Sequence, residues 1–192
     1  MGKKIGAILG GTLVTVAAIG AVIVASKLSK INTVKLDTDK LSVSKEAKKR
    51  GNGYLNVALF GVDSRDNDLD KGTRSDTIMI ASLNKKTMKV KIASIYRDTL
   101  SEQEDGTLNK INAAYSYGGP EGALSVLNKN LDMNIEHYVT VNFNSMIDIV
   151  DSVGGIDIDV QEDEMPYICG YVQEIMKVTG KLSPGVTEPG TQ

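Results

Sequence analysis

Arginine and aspartate residues cluster between residues 63 and 98 of this 192-residue chain. The sequence contains four arginines, and three of them lie in this stretch: Arg65, Arg74 and Arg97. Each is within two residues of an aspartate, namely Asp63, Asp76 or Asp98. Guanidinium groups bind phosphates through paired hydrogen bonds, and Mg²⁺ prefers carboxylate, water and phosphate oxygens. The cluster therefore suits a complex of pyrophosphate with Mg²⁺, and surface salt bridges at strand ends are the alternative interpretation.

Three apolar segments are expected to bring these residues together. Residues 54–62 form a short apolar run, which predicts a buried strand ending just before Asp63. Residues 77–83 predict a second strand, and residues 89–95 predict a third, half-exposed one because charged and apolar residues alternate at its start. If the strands run up, down and up, the end of the first strand, the start of the second and the end of the third meet at one edge of a sheet.

Later segments predict further elements. Pro120 suits the first turn of a helix, which predicts a helix over residues 121–131. Apolar runs predict strands at residues 135–143 and 156–160. Apolar spacing predicts a helix over residues 144–153, between those strands.

The first residues predict a membrane anchor. Residues 5–25 carry no charge, and a stretch of this length can span a bilayer as a helix. A signal peptide is the alternative, although its apolar core is usually shorter. We therefore expect residues 1–4 to be a cytoplasmic tail, residues 5–25 a transmembrane anchor, residues 26–53 a basic tether, and residues 54–192 an extracytoplasmic domain.

Charge is distributed unevenly along the chain. Residues 26–50 contain eight basic and three acidic side chains, whereas residues 51–192 contain twelve basic and 21 acidic side chains. The basic tether is suited to anionic lipid headgroups, so the membrane is an expected partner. The acidic domain argues against nucleic acid as a partner, because that binding needs a basic face.

Several short motifs occur in the order found in one known family. They are Gly61-Val62-Asp63-Ser64-Arg65, Thr73-Arg74-Ser75-Asp76-Thr77, Ser94-Ile95-Tyr96-Arg97-Asp98-Thr99, Lys110-Ile111-Asn112-Ala113-Ala114-Tyr115, Tyr117-Gly118-Gly119, and Val150-Asp151-Ser152-Val153-Gly154-Gly155-Ile156. Over about residues 54–160 the chain resembles the LytR-CpsA-Psr family of cell-envelope proteins. The predicted anchor and tether suit that family as well.

The resemblance implies a fold and a function. The expected fold is α/β, with a mixed central β-sheet flanked by helices as an αβα sandwich, preceded by one N-terminal transmembrane helix. The expected activity is that of a phosphotransferase, which attaches an anionic glycopolymer (teichoic acid or capsular polysaccharide) from a polyprenyl-pyrophosphate carrier to peptidoglycan. The alternatives are a non-catalytic polyprenyl-phosphate-binding module, a pyrophosphatase and, less in keeping with the acidic domain, a transcriptional attenuator.

The resemblance also assigns roles to individual residues. Asp63 and Asp76 are expected to hold Mg²⁺ beside the pyrophosphate, and Arg74 and Arg97 are the expected catalytic residues that contact its phosphates. The expected substrate-binding residues are Arg65, Asp98 and Lys110.

Two positions depart from the family pattern. Tyr96 stands where the family usually has proline, and no arginine follows Arg97, although the family carries a late arginine pair. We therefore expect a C-terminally incomplete member that binds polyprenyl pyrophosphate but transfers glycan slowly.

Overall fold

The structure, a computed structural model, describes residues 32–64, 69, 72–180 and 190–191. In chain order its elements are a 3-10 helix at Thr38–Lys40, α1 (Lys45–Arg50), β1 (Tyr54–Val62), β2 (Ser75–Asn84), β3 (Val90–Ile95), β4 (Leu100–Glu102), β5 (Leu108–Lys110), α2 (Ala113–Leu131), β6 (His137–Val141), α3 (Phe143–Ser152), β7 (Asp159–Val160), α4 (Met165–Thr179) and β8 (Gly190–Thr191). The chain divides into two units, Met1–Leu36 and Asp37–Gln192, and the candidate site lies in the second.

A mixed four-stranded sheet in the order β3-β2-β1-β6 forms the centre of this second unit. Strand β2 is antiparallel to both of its neighbours, and β1 is parallel to β6. The first predicted strand has the observed bounds, and the second and third differ by one or two residues at their ends. The expected α/β class with a mixed central sheet is therefore confirmed, and so is the up-down-up order.

The two faces of the sheet differ in burial. Strand β1 alternates because successive side chains point to opposite faces, and its Phe60 ring contacts the Tyr115 ring of α2 edge-on at 5.2 Å. Ile78 and Ile80 of β2 are also buried on this face. On the other face, Ile92 of β3 is 64% exposed. The core described by the structure therefore lies between the sheet and α2.

Helix α2 begins eight residues before the predicted start at residue 121. Gly119 has a positive φ of 64°, which favours glycine, so a kink joins two helical segments there. Pro120 begins the second segment, where its missing N–H costs little. The sequence pattern therefore identified only the second segment.

The second unit also includes residues that were predicted to form the tether. Leu41 is 0% exposed and Ala47 of α1 is 2% exposed, so both belong to the core. Ser44 caps α1 by accepting a hydrogen bond from the Ala47 N–H at 2.9 Å. The folded unit thus begins at Asp37, upstream of the predicted boundary at residue 54.

The predicted anchor at residues 5–25 lies outside the described residues. Within the described ranges, no helix combines the length and the apolar character that crossing a bilayer requires. Helix α3 agrees with the prediction to within one residue. The predicted strand at 156–160 shrinks to β7, and α4 was not predicted.

Candidate active site

A β-bulge shapes the edge of the sheet where β1 ends and β2 begins. Gly61 pairs with Thr77, but Val62 pairs with Ser75, so Asp76 is the extra residue of the bulge. A Cβ atom on Gly61 would lie 3.0 Å from the Thr77 Cβ, so this close approach favours glycine. Bulges redirect side chains at functional sites. Here the bulge places Asp76 beside the end of β1, where the exposed Asp63 follows.

Arg97 reaches the bulge from the far side of β2. It lies two residues after β3, and its Nη1 atom donates a hydrogen bond to Asp76 Oδ1 at 2.7 Å. The two side chains are 52% and 47% exposed, so a ligand can reach both. The expected meeting of the second strand's start and the third strand's end is therefore confirmed.

The β4–β5 hairpin brings Lys110 to the same edge. Its Nζ atom lies 2.6 Å from Asp98 Oδ1, and Arg97 Nε lies 3.8 Å from Asp98 Oδ2. The hydrogen bond from Lys110 is the main cause that holds the pKa of Asp98 below its usual value, and the charges of Lys110, Arg97 and Arg74 act in the same direction. Asp98 therefore stays ionised at neutral pH and orients two cations.

Of the remaining two arginines of the predicted cluster, the structure describes Arg74. Arg74 immediately precedes β2 and is exposed, and its charge acts on Asp98. Arg65 lies outside the described residues. The loop that leads to Arg74 is held to α2, because the Tyr115 hydroxyl donates to the Leu69 carbonyl at 2.6 Å. The Gly72 N–H likewise donates to the Ser116 carbonyl at 3.2 Å.

Three buried side-chain oxygens near this edge have no hydrogen-bond partner among the described residues: Thr73 Oγ1, Ser75 Oγ and Asn112 Oδ1. Ser75 and Asn112 are 1% and 3% exposed. The Asn112 N–H donates to the Arg97 carbonyl at 3.3 Å, so this residue adjoins the charged group. None of these three residues was a predicted site residue, although each lies inside one of the motifs.

Comparison with known proteins identifies the family. A model of the LytR-CpsA-Psr (LytR_cpsA_psr) family matches residues 19–185. The chain belongs to the LytR-CpsA-Psr family. The ordered motifs from Gly61 to Ile156 lie within this match, so the resemblance seen in the sequence is confirmed.

Two relatives carry names that state an activity. The chain is 42% identical over 105 residues to the polyisoprenyl-teichoic acid–peptidoglycan teichoic acid transferase TagU of Bacillus cereus, strain AH820. It is 38% identical over 106 residues to TagU of Halalkalibacterium halodurans. These matches cover 54% and 55% of this chain but 34% of each relative, so the chain spans about a third of their length.

Solved structures of the family share the fold. YwtF (TagT) of Bacillus subtilis, solved with bound octaprenyl pyrophosphate lipid, is 25% identical with a TM-score of 0.52, over 84% of this chain and 55% of that one. Protein gbs0355 of Streptococcus agalactiae is 26% identical with a TM-score of 0.53, over 78% of this chain and 50% of that one.

The donor set of this LytR-CpsA-Psr chain fits a magnesium ion that substrate helps to bind. In the part of the chain that the structure describes, no three His, Cys, Asp or Glu side chains form a metal site. Mg²⁺, however, is commonly held by one or two carboxylates, waters and substrate phosphates. Asp76 in the bulge and Asp63, which directly follows β1, offer such carboxylates. The buried oxygens of Thr73 and Ser75 are neighbouring acceptors for ordered water.

Proposed function

We propose that this LytR-CpsA-Psr chain takes part in transferring an anionic glycopolymer from a polyprenyl-pyrophosphate carrier to peptidoglycan. One observation carries the proposal: Arg97 and Asp76 meet at 2.7 Å, at a bulge beside Asp63. This edge combines guanidinium and carboxylate groups that are accessible to solvent, as a pyrophosphate–metal complex requires. The names of the TagU relatives and the lipid bound to YwtF support the same substrate class.

Each residue has a proposed role at this edge. Asp63 and Asp76 hold Mg²⁺, which when bound neutralises charge on the pyrophosphate. Arg97 and Arg74 bind the phosphate oxygens, and Arg97 leaves its pairing with Asp76 in part to do so. Three further residues hold the substrate or orient those that do: Arg65, Asp98 and Lys110.

The proposed reaction transfers a phosphoryl group that carries the glycan from a pyrophosphate linkage to a hydroxyl of peptidoglycan. A peptidoglycan hydroxyl attacks the phosphorus that carries the glycan and loses its proton to solvent. The bond from that phosphorus to the bridging oxygen breaks, and polyprenyl monophosphate leaves with the electron pair. Negative charge grows on the phosphate oxygens during this step, so fixed guanidinium groups stabilise the transition state.

We also propose that residues 5–25 anchor the chain in the membrane, with the domain on the extracytoplasmic face. The uncharged run of 21 residues supports an anchor, and the basic segment after it suits anionic headgroups. This location would place the site at the surface where a lipid-linked substrate lies.

The test is a reconstituted transfer reaction. The full chain in vesicles receives lipid-linked glycan and peptidoglycan, and glycan on peptidoglycan is measured together with polyprenyl monophosphate. We expect both products in equal amounts, and Arg97→Gln should lower the transfer rate by about 10²–10³-fold, as losses of single electrostatic donors do. Arg50→Gln is the matched control. Arg50 pairs with Asp132 and lies just before the start of β1, whereas the candidate site lies at the end of that strand.

Three outcomes would contradict the proposal. Glycan phosphate released into solution, without product on peptidoglycan, would indicate hydrolysis. Equal rates for the two arginine variants would reject the site. Vesicle flotation that survives removal of residues 1–31 would reject the anchor.

A further inference from the structure

A basic cavity lies at the opposite end of β1 from the Asp76–Arg97 edge. It has a volume of about 580 Å³ and is bordered by α1, the start of β1, the β2–β3 turn and the start of β6. Four of its lining residues are lysines, and we call it the lysine pocket: Lys45, Lys48, Lys49 and Lys85. Because a strand rises about 3.3 Å per residue, the length of β1 separates the two places by roughly 26 Å.

The lysine pocket has an excess of positive charge. Its lining contains one carboxylate, that of Glu136, which lies 3.5 Å from Lys48 Nζ. Among the described residues, no carboxylate lies within ion-pair distance of Lys45, Lys49 or Lys85. The pocket therefore presents ammonium groups whose charge is not neutralised by neighbouring side chains.

The spacing of these lysines is unfavourable for α1 by itself. Lys45 and Lys49 are four residues apart on a helix of six residues, and Lys48 is three residues from Lys45. Like charges at these spacings lie on one helix face and destabilise it. An anion bound among the ammonium groups would relieve that repulsion, so the arrangement favours an anionic ligand.

The two basic places of the molecule differ in their cations. The Asp76 edge combines guanidinium groups with the Lys110 ammonium, and the rigid fork of a guanidinium fixes the orientation of a phosphate. The pocket uses ammonium groups alone, since the nearby Arg50 is paired with Asp132. Ammonium groups act as point charges on flexible stems, so they hold a phosphate without fixing its orientation. A flexible, phosphate-bearing ligand fits the pocket better than a pyrophosphate that must be positioned for reaction.

Neutral groups in the lining add a second recognition element. Tyr54, His137 and Asn52 also border the cavity, and their side chains carry a phenol, an imidazole and a carboxamide. Each of these groups can donate or accept a hydrogen bond to a ligand hydroxyl. The volume also lies within the range of about 300–1,000 Å³ that is usual for small-ligand sites.

We propose that the lysine pocket binds a polyol phosphodiester, in which hydroxyl groups flank a singly charged phosphate. The phosphate lies among the ammonium groups, and the hydroxyls bond to the neutral lining. Such a group occurs both in a polyol-phosphate polymer and in a phosphatidylglycerol headgroup. This second site is distinct from the pyrophosphate site and does not depend on the proposed transfer.

The chain contains a single histidine, which provides a local probe of the pocket. The tag-free full chain, labelled with ¹³C at histidine Cε1, is titrated with glycerophosphoglycerol in neutral detergent, and the His137 resonance is followed by NMR. We expect a saturable shift. The variant Lys49→Gln/Lys85→Gln should weaken the affinity about tenfold, since exposed charge contacts contribute modestly. The control Lys91→Gln/Lys177→Gln removes the same charge at two exposed positions in β3 and α4 that do not line the pocket, and it should change the affinity less than about twofold.

Further measurements distinguish the two possible sources of the ligand and show which of the two sites a negative result concerns. Phosphatidylglycerol vesicles that displace the diester identify a headgroup, whereas failure to displace it identifies the soluble polymer; either result supports the site. The proposal is overturned if no saturable shift occurs, if sulfate binds equally well, or if both double variants weaken binding equally. Circular dichroism of each variant confirms that it is folded. Binding of Mg²⁺ with a lipid pyrophosphate is measured on the same variants and should not change, so a failure there would concern only the other site.

Discussion

Two buried asparagines show how differently the core and the candidate site are built. Asn128, 2% exposed in α2, donates to the Leu41 and Ile135 carbonyls and accepts from the Ile135 N–H, at 2.8–3.0 Å. Asn112, 3% exposed beside Arg97, has a carbonyl oxygen without a partner among the described residues. Burying a polar atom unpaired costs free energy. The asparagine in the core therefore has its polar groups satisfied, whereas the asparagine at the site leaves an acceptor available to a ligand or its water.

The core and the site also differ in whether they contain charged pairs. In the core, Leu124 and Tyr115 are fully buried, and stability there depends on packing and on neutral hydrogen bonds. At the site, the Arg97–Asp76 and Lys110–Asp98 pairs are about half exposed, and such pairs contribute little to stability. Residues that stabilise the domain and residues that would bind substrate are thus separate, so substitutions can test them one at a time.

The largest expected effect concerns the two asparagines. Asn128→Ala removes three hydrogen bonds and leaves the Ile135 and Leu41 groups unpaired, so it should lower the free energy of unfolding by about 2–4 kcal/mol. Asn112→Ala removes an unpaired acceptor and should lower it by less than about 1 kcal/mol. Urea denaturation of the two variants measures both values. Equal losses would show that the core and the site do not differ in this way.

A smaller effect is expected from pH. The pKa of Asp98 is lowered chiefly by Lys110, so this carboxylate stabilises the fold above the ordinary aspartate pKa of about 3.9, and the contribution disappears as pH falls through the lower folded value. In Lys110→Gln the loss of stability between about pH 6 and pH 3 should be shallower than in the wild type. Asp105 and Asp132 also have lowered pKa values and keep the remaining dependence in both proteins.

Urea midpoints across that pH range provide the measurement. Identical profiles for the wild type and Lys110→Gln would mean that the Lys110–Asp98 pair has no effect on the folded state in solution. The effect is small in either case, because both side chains are more than half exposed and screened by water.

Much of the sheet could be predicted because apolar runs bounded by polar residues are a local signal. Strand β1 has its predicted bounds, and the predicted meander correctly placed Asp76 near Arg97. The burial of Leu41 could not be predicted, because a lone leucine in a lysine-rich segment has no periodic pattern. The early start of α2 was missed because Gly119 and Pro120 interrupt the helical signal.

The finer parts of the site needed the structure for other reasons. The bulge at Asp76 depends on how β1 and β2 pair, and pairing is not local in sequence. The unpaired oxygens of Ser75 and Asn112 follow from burial, which their polar side chains do not suggest. Lys110 reaches Asp98 only because β4 and β5 form a hairpin. The roles of all the predicted site residues stay predictions, namely those of Asp63, Arg65, Arg74, Asp76, Arg97, Asp98 and Lys110.

The most direct measurement is the thermal stabilisation of the full chain by Mg²⁺ together with farnesyl pyrophosphate, a short polyprenyl pyrophosphate. The wild type should gain about 2.7 kcal/mol at a ligand concentration 100 times the dissociation constant, and only when Mg²⁺ is present. Asp76→Asn should lose most of this gain, whereas Asp157→Asn, an exposed aspartate far along the chain, should keep it. A gain that persists in Asp76→Asn, or that does not require Mg²⁺, would contradict the assignment of this edge as the pyrophosphate–metal site.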